Sequence, residues 1–520
     1  MLQRLTANDV SVFILLAELN MCMTLVGCAR VAIGRTSMFL GLDVGTSGLR
    51  ALLADEGGNV LGVADAAYGV SHPKTGWSEQ DPQDWITACQ SAVAELRGEH
   101  PEAISALRGI GLSGHMHGAT LLDVDGKVLR PCILWNDTRS ATEAAELDGT
   151  EGVRDLSGNI VFPGFTAPKL AWVKTHEPDI YAQIAKVLLP KDYLRFWLTG
   201  SYISDMSDSA GTSWLDVGAR DWSPTLLEAS GMRRDQMPDL VEGSAAGGEL
   251  RADLRADWGI KGSVVVAGGG GDNAVAACGA GCFREGEGFV SLGTSGVLLA
   301  AKSAYKPDPA SAVHTFCHAV PQTWYQMGVI LAATDCLNWL SRTLGQTPAT
   351  LAGRLPNEVK GPSSITFLPY LSGERTPHND AQIRATLAGL DIGDGPAELT
   401  QAVMEGVAFA LRDCLEALKG TDTSFTRLLA VGGGTRSPYW VETLATVLGV
   451  SLDIPDKGEF GAALGAARLA MTATGADLAT VMRAPPISHT IDPRSDLIEA
   501  YDTSYARYRA LYPNMKALMT

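Results

Sequence analysis

From Met38 onward, apolar and polar positions fall in short blocks that read as strand, tight turn, strand. "FLGLD" leads through "VGTSG" into "LRALLAD", and "EGG" then turns the chain into "NVLGVADAAY". The pattern predicts two hairpins and three strands. At Asp81 the period changes: Asp81 is placed to cap a helix, Pro82 to open it, and apolar residues recur at helical spacing as far as Gly98. Residues 106–114, "ALRGIGLSG", return to strand. Strands and helices alternating in this way predict an α/β layer architecture.

The second half repeats the theme. "FVSLG", "TSG" and "VLLAA" predict a hairpin over residues 289–301, "WYQMGVILAA" a third strand, and an apolar helix begins near Thr334. Residues 427–434, "RLLAVGGG", read as a buried strand ending in a glycine turn, after which Ser437 and Pro438 open the helix "PYWVETLATVLG". "FGAALGAARLAMTA" is a helix of small residues suited to close packing. The Gly-rich stretch 279–288 marks a boundary, giving an N-terminal domain over 38–283 and a C-terminal domain over 284–515, packed around a cleft.

Residues 1–37 fit neither domain and read as an N-terminal extension, disordered or preceding a natural start at Met38. Residues 10–29 are mostly apolar, but Glu18 and Asn20 in their middle make a poor membrane span, and "LVGC" at 25–28 only resembles a lipoprotein cleavage site. Net charge is −17 with no dense block of Lys and Arg, which argues against a nucleic-acid partner. The nine cysteines form no C-x-x-C pair, so reduced thiols in a cytoplasmic protein are expected rather than a zinc ribbon or a disulfide framework.

The repeated Gly-Thr-Ser-Gly turn carries chemistry. Such a turn aims backbone N–H groups and hydroxyls at one point, a nest for phosphate oxygens. One copy alone reads as a plain hairpin. Two copies in matching contexts suggest a nucleotide held between domains. The chain has no G-x-x-x-x-G-K-[ST], no protein-kinase set, and no G-x-G-x-x-G after its first strand. Asp43 precedes the first turn, and a carboxylate beside phosphates calls for a cation such as Mg²⁺; the alternative is a turn Asp bonding its own backbone. Arg50 follows the turn and either supplies positive charge to phosphates or is a solvated strand residue.

"VVVAGGGGDNAVAACGAG" runs a buried strand into four glycines, then Asp272 and Asn273, then a helix of small residues. Asp272 reads as a helix cap or as a general base, with the glycines letting a substrate hydroxyl approach closely. His115, Met116 and His117 follow a strand end, where open α/β sheets bind ligands; two His so spaced without a third ligand do not make a metal site. Trp135 in "WND" offers an aromatic face to a sugar.

These residues carry a resemblance. The chain from Met38 resembles the FGGY carbohydrate kinases, and within them the xylulokinases, through "GLDVGTSG", "WSEQDPQDW", "MHGATLLD", "LRPCILWNDTRS", "GFTAPKLAWVKTH", "GGGGDN", "SLGTSG", "FLPYLSGERTPHN" and "GGGTRSPYW", in that order. The resemblance implies two ribonuclease-H-like domains, of the actin, hexokinase and Hsp70 type, around a nucleotide cleft. It implies phosphorylation of D-xylulose at its 5-hydroxyl, with ATP and Mg²⁺ as cofactors. Asp272 is then the base, and Met116, His117, Asp272 and Asn273 are sugar contacts. Asp43 belongs to the Mg-phosphate site, and Thr46, Ser47, Arg50 and Thr294 contact phosphates. Gly433, Gly434 and Ser437 lie near the adenosine. A homodimer is expected by analogy with the family.

Three features depart from the family's pattern. His115 stands where Gln is expected before Met-His, Ala385 where Gly is expected, and the N-terminal extension has no counterpart. A protonatable His at that place leaves the sugar and the pH dependence open. The same chemistry on ribulose, glycerol or another ketose is therefore one rival, and a non-catalytic sugar sensor is a second. The sensor predicts a helix-turn-helix or a lost base, yet Asp272 is present. A chaperone-like ATPase would need a substrate-binding β-domain after residue 500, where the sequence offers none.

Overall fold

Each Gly-Thr-Ser-Gly turn starts a sheet. Met38–Val44 and Gly48–Asp55 pair antiparallel across the first turn, Val60–Ala67 joins beyond them, and Leu107–Gly114 lies parallel to Met38–Val44. Gly288–Leu292 and Gly296–Lys302 pair antiparallel across the second turn, Trp324–Ile330 joins beyond them, and Arg427–Val431 lies parallel to Gly288–Leu292. These four strands have the same order and direction in both sheets, so the core of the second half is a structural repeat of that of the first. Ala246–Glu249 and Val265–Ala267 complete the first sheet. His314–Cys317, Ser451–Pro455 and Ile487–Ile491 complete the second. The chain is described here from a computed structural model over residues 37–456, 458 and 461–519. The apolar N-terminal stretch and the "LVGC" site lie outside the described residues.

The first sheet is covered on both faces, by helices from different parts of the chain. Pro82–Glu99 starts where the sequence predicts, with the Asp81 carboxylate accepting from the Gln83 N–H at 2.9 Å. Its Trp85, Cys89, Val93 and Leu96 are buried in one cluster with Leu40, Leu53 and Ile110 of the sheet. The other face takes Ala462–Ala473, which lies within 284–515 but packs on Met38–Val44 and Leu107–Gly114. Glycine makes this possible. A Cβ added at Gly41 would stand 1.8 Å from the Ala463 carbonyl oxygen, and one at Gly111 1.7 Å from that of Ala466. Gly465, on the same helix, allows equally close contact with Val275 on Asp272–Ala280. The small-residue helix thus joins the first sheet to the helix that carries Asp272.

The two halves share a core. Met116, Phe165 and Trp214 are buried in one cluster with Phe316 and Tyr325 of the second sheet and Ala466 of the crossing helix. Asn159 ties the halves further: its Nδ2 donates to the Thr315 carbonyl at 2.8 Å, and its Oδ1 accepts from the Thr315 N–H at 3.0 Å. The described cysteines are buried and unpaired. Among the described residues, no helix is long and apolar enough to cross a membrane.

Backbone, not a movable side chain, opposes any atom added at Gly111. Gly111→Ala is therefore expected to destabilise the protein by ~3 kcal/mol or more. The check is the thermal midpoint beside that of Gly98→Ala, where nothing lies within 4 Å of the new Cβ. Equal midpoints for the two variants would contradict this packing.

Candidate active site

Asp43 lies inside the strand Met38–Val44, opposite Arg50 and beside Ser113, and not in the turn. That removes the reading of a turn Asp bonding its own backbone. Burial pushes its carboxyl above the usual range, and the Ser113 hydroxyl and the Arg50 charge only partly oppose this. Arg50 itself forms a two-pronged contact with Asp65 on the next strand, at 2.8 and 3.0 Å. The turn is closed by the Gly45 N–H donating to the Gly48 carbonyl at 3.0 Å. Thr46 is held at both ends: its carbonyl accepts from Gln80 Nε2 at 2.6 Å, and its hydroxyl from the Trp135 indole N–H at 3.0 Å. Ser47 is exposed at the tip.

The second turn is anchored to a helix start. The Gly293 carbonyl accepts from the N–H and the hydroxyl of Thr334, at 2.9 and 2.8 Å, and the Thr294 carbonyl from the Ala333 N–H at 2.8 Å. Thr334–Leu344 then forms one wall of a cavity of 890 Å³. Gly433, Gly434 and Ser437 form another wall, and Ala349 and Pro356 a third. Gly432 takes φ 97°, a left-handed conformation, against the backbone of Leu292. A Cβ at Gly434 would stand 2.7 Å from that of Leu292, so this glycine turn is pressed onto the second hairpin's strand. At Gly433 the nearest atom to an added Cβ is Arg436 Nη2, at 3.7 Å. The Ser437 hydroxyl is spent on capping, accepting from the Trp440 N–H at 3.3 Å.

The glycine loop brings the third group in. Gly270 and Gly271 pair with Ser113 and Gly114, which in turn pair with Asp43 and Val44, so Asp272 follows the carboxyl end of the same sheet. Gly271, not Asp272, holds the helix-capping position. The Asp272 carboxylate instead accepts from the N–H and Nδ2 of Asn273, at 2.7 and 2.9 Å. Burial pushes it up to about 6; the Asn273 N–H pulls against this and the charge of Asp43 adds to it. A carboxyl that titrates there can take a proton from a hydroxyl near neutral pH.

Beside this loop lies a smaller cavity of 180 Å³, lined by His117, Trp135, Asp137, Phe162, Phe165 and Arg375 among others. His117 takes φ 72°, stacks on Phe165 at 4.5 Å, and its Nδ1 meets the Gly211 carbonyl at 2.6 Å. Burial pushes it down to about 3, so it is neutral. Met116 packs under Gly271, where a Cβ would come within 2.8 Å of its Cγ, and its sulfur accepts from the Tyr325 hydroxyl at 3.8 Å. Met116, Asp272 and Asn273 do not themselves line this cavity.

Three groups escaped sequence reasoning. Arg375, inside the quoted "GERTPHN", places a half-buried cation over Phe162, 4.7 Å from its ring, in the same cavity as His117. Lys169 is fully buried, donates to the His117 carbonyl at 2.7 Å, and is pushed down to about 7 by its burial. Tyr325 reaches Met116 from the second sheet. Each acts across a long sequence separation, and only the charge on a mostly apolar helix around Lys169 was a signal. Of the departures, His115 lies against Trp85 at 5.8 Å, outside the lining of either cavity, and neither ring nitrogen has a hydrogen-bond partner among the described residues. Burial pushes it down to about 3, so it is held neutral. Ala385 stands just before the strand Thr386–Ala388, also outside both linings.

The geometry has close counterparts. The profile of the FGGY family of carbohydrate kinases matches its N-terminal domain to residues 38–279 and its C-terminal domain to residues 288–474. A xylulose kinase of Escherichia coli is 44% identical over 487 residues, covering 93% of this chain and 100% of that protein. The crystal structure of a xyloylose kinase from Brucella ovis superposes with a TM-score of 0.92 at 60% identity, over 92% of this chain and 100% of that one. That of a xylulose kinase from Rhodospirillum rubrum does so with a TM-score of 0.86 at 28% identity, over 93% and 99%. With both domains matched in order and the two sheets repeating one topology, the chain belongs to the FGGY family of carbohydrate kinases.

Proposed function

We propose that the protein transfers the γ-phosphoryl group of ATP to the 5-hydroxyl of D-xylulose. The observation that carries this is the placement of Asp272 beside Asp43, at the end of the sheet begun by the first Gly-Thr-Ser-Gly turn. Xylulose as the acceptor is supported by the names of the relatives in Escherichia coli and Rhodospirillum rubrum. The sugar occupies the cavity of His117, Trp135 and Arg375 and extends from it toward Asp272 and Asn273, with Met116 packed beneath Gly271. The adenosine occupies the cavity bounded by Gly433, Gly434 and Ser437.

Asp272 accepts the hydroxyl proton as the oxygen attacks phosphorus, and the bond to the leaving ADP oxygen breaks. Thr46, Ser47 and Thr294, with the N–H groups of their turns, hold the phosphates. Arg50, fixed by Asp65, adds positive charge from the sheet. Asp43 fits a Mg²⁺ ion: it is a hard oxygen donor whose burial disfavours an uncompensated charge. When bound, that ion neutralises charge on the phosphates. Closure of the halves excludes water, which would otherwise accept the phosphoryl group.

Four outcomes are expected. In a panel of D-xylulose, D-ribulose, L-ribulose, L-xylulose and glycerol, sugar-dependent ADP release is expected with the highest kcat/KM on D-xylulose. Asp272→Asn should then lower kcat by about 10²–10⁴ with the fold kept; parent-like turnover would refute the base assignment. Only the ionised carboxylate takes a proton, so kcat/KM should fall as pH drops through about 6. A profile flat down to pH ~4, near an unshifted carboxyl, would contradict the burial of Asp272. Gly433→Val fills the larger cavity without meeting backbone, so the KM for ATP should rise about tenfold while that for xylulose moves less than about twofold. Equal changes in both constants would place the adenosine elsewhere.

A further inference from the structure

Four consecutive glycines precede Asp272, and a glycine run has no side chains with which to fix itself. A base must nevertheless be held to a fraction of an ångström, because a displacement of about 1 Å costs on the order of 10²-fold in rate. The loop has backbone partners: the Gly268 and Gly269 N–H groups donate to Ala245 and Gly243 at 2.8 and 2.9 Å, and Gly270 and Gly271 pair with Ser113 and Gly114 of the sheet. Side chains hold its two ends in addition. The Gly268 carbonyl accepts from Arg195 Nη2. The Gly271 N–H, next to Asp272, donates to the Ser207 hydroxyl at 3.2 Å.

Arg195 and Ser207 belong to one buried cluster. Arg195 Nη1 donates to Asp192 Oδ1 at 3.0 Å, and Lys191 Nζ meets the same oxygen at 2.5 Å. Lys191 Nζ also reaches Asp205 Oδ1 at 2.8 Å and Asp208 Oδ2 at 3.1 Å. Asp205 Oδ2 accepts from the Ser207 hydroxyl at 2.5 Å and from the Ser207 N–H at 2.7 Å. All of these side chains are 0% exposed. The three carboxylates are grouped as a cation site would be, but the Lys191 ammonium already bonds each of them. Burial pushes the Asp208 carboxyl well above the usual range, against the pull of the Lys191 ammonium. The path Gly268–Arg195–Asp192–Lys191–Asp205–Ser207–Gly271 is therefore a closed ring of side chains around the glycine loop.

We propose that this buried ring is the positioning device for Asp272, with Ser207 and Arg195 as positioning residues that act on the base through Gly271 and Gly268. The inference rests on the reading of Asp272 as the base. It assigns a task to "LLPKDYLRFWLTG" and "SDMSDSAGTSWLD", stretches that line neither cavity.

A cycle of Ser207→Ala, Asp272→Asn and the double variant tests it. In the parent, Ser207→Ala should lower kcat about tenfold or more, with the KM of xylulose and of ATP moving less than about twofold. In the Asp272→Asn background the same change should cost less than about twofold, because there is no longer a base to misplace. Arg195→Lys, which keeps the charge but withdraws the second guanidinium nitrogen, should show the same dependence and stands in if Ser207→Ala does not fold. An equal loss in both backgrounds would overturn the positioning role while leaving the base in place. A Ser207→Ala kcat within about twofold of the parent would do the same. Full turnover by Asp272→Asn would overturn both assignments together.

Discussion

Two half-buried carboxylates brought together at the end of one sheet are the constraint around which the rest of the site is arranged. Asp43 lies one residue before the end of the first strand, and Asp272 follows the glycine loop that pairs two strand positions away. The charge of Asp43 makes the proton of Asp272 harder to lose, and burial acts on both in the same direction. Such a pair is unfavourable in an empty site and becomes favourable when a cation and a hydroxyl arrive. The first Gly-Thr-Ser-Gly hairpin carries this acid and the second does not: Ser291 occupies the corresponding place. The repeat explains why the chain writes the same turn twice, and the single Asp explains why the two copies are not equivalent.

Close backbone packing supports that arrangement. The helix Ala462–Ala473 reaches back from the second half to the first sheet, and it does so only because Gly41 and Gly111 carry no side chain. It also meets the helix that starts with Asp272, again through a glycine. The strand that carries Asp43 and the helix that begins with Asp272 therefore share one neighbour. Phe316 and Tyr325 come into the same core from the second sheet, so motion between the halves bears directly on the groups around Met116.

Much of this was legible in the sequence because glycine, proline and capping residues punctuate it. Asp81 with Pro82, and Ser437 with Pro438, open helices where the pattern places them. Gly433, Gly434 and Ser437 line one cavity, and His117 and Trp135 another. What stayed hidden depends on partners far away in the chain. Small residues in the helix Ala462–Ala473 announced a close approach without naming the surface approached. Trp135 read as an aromatic face, whereas its indole N–H grips Thr46. Arg50 read as a charge for phosphates or as a solvated strand residue, and its partner Asp65 on the next strand was not foreseen. His115 read as a group that could carry charge, whereas complete burial keeps it neutral. Local spacing reports which elements form; it does not report which of them will face one another.

The most direct test of the account is a crystal structure of the protein with Mg²⁺, a non-hydrolysable ATP analogue and D-xylulose. The account predicts the phosphate chain between the turns of Thr46 and Thr294, the adenosine against Gly433 and Gly434, and the sugar's 5-hydroxyl within hydrogen-bond reach of Asp272. Phosphates away from either turn, or a sugar hydroxyl facing a group other than Asp272, would contradict it.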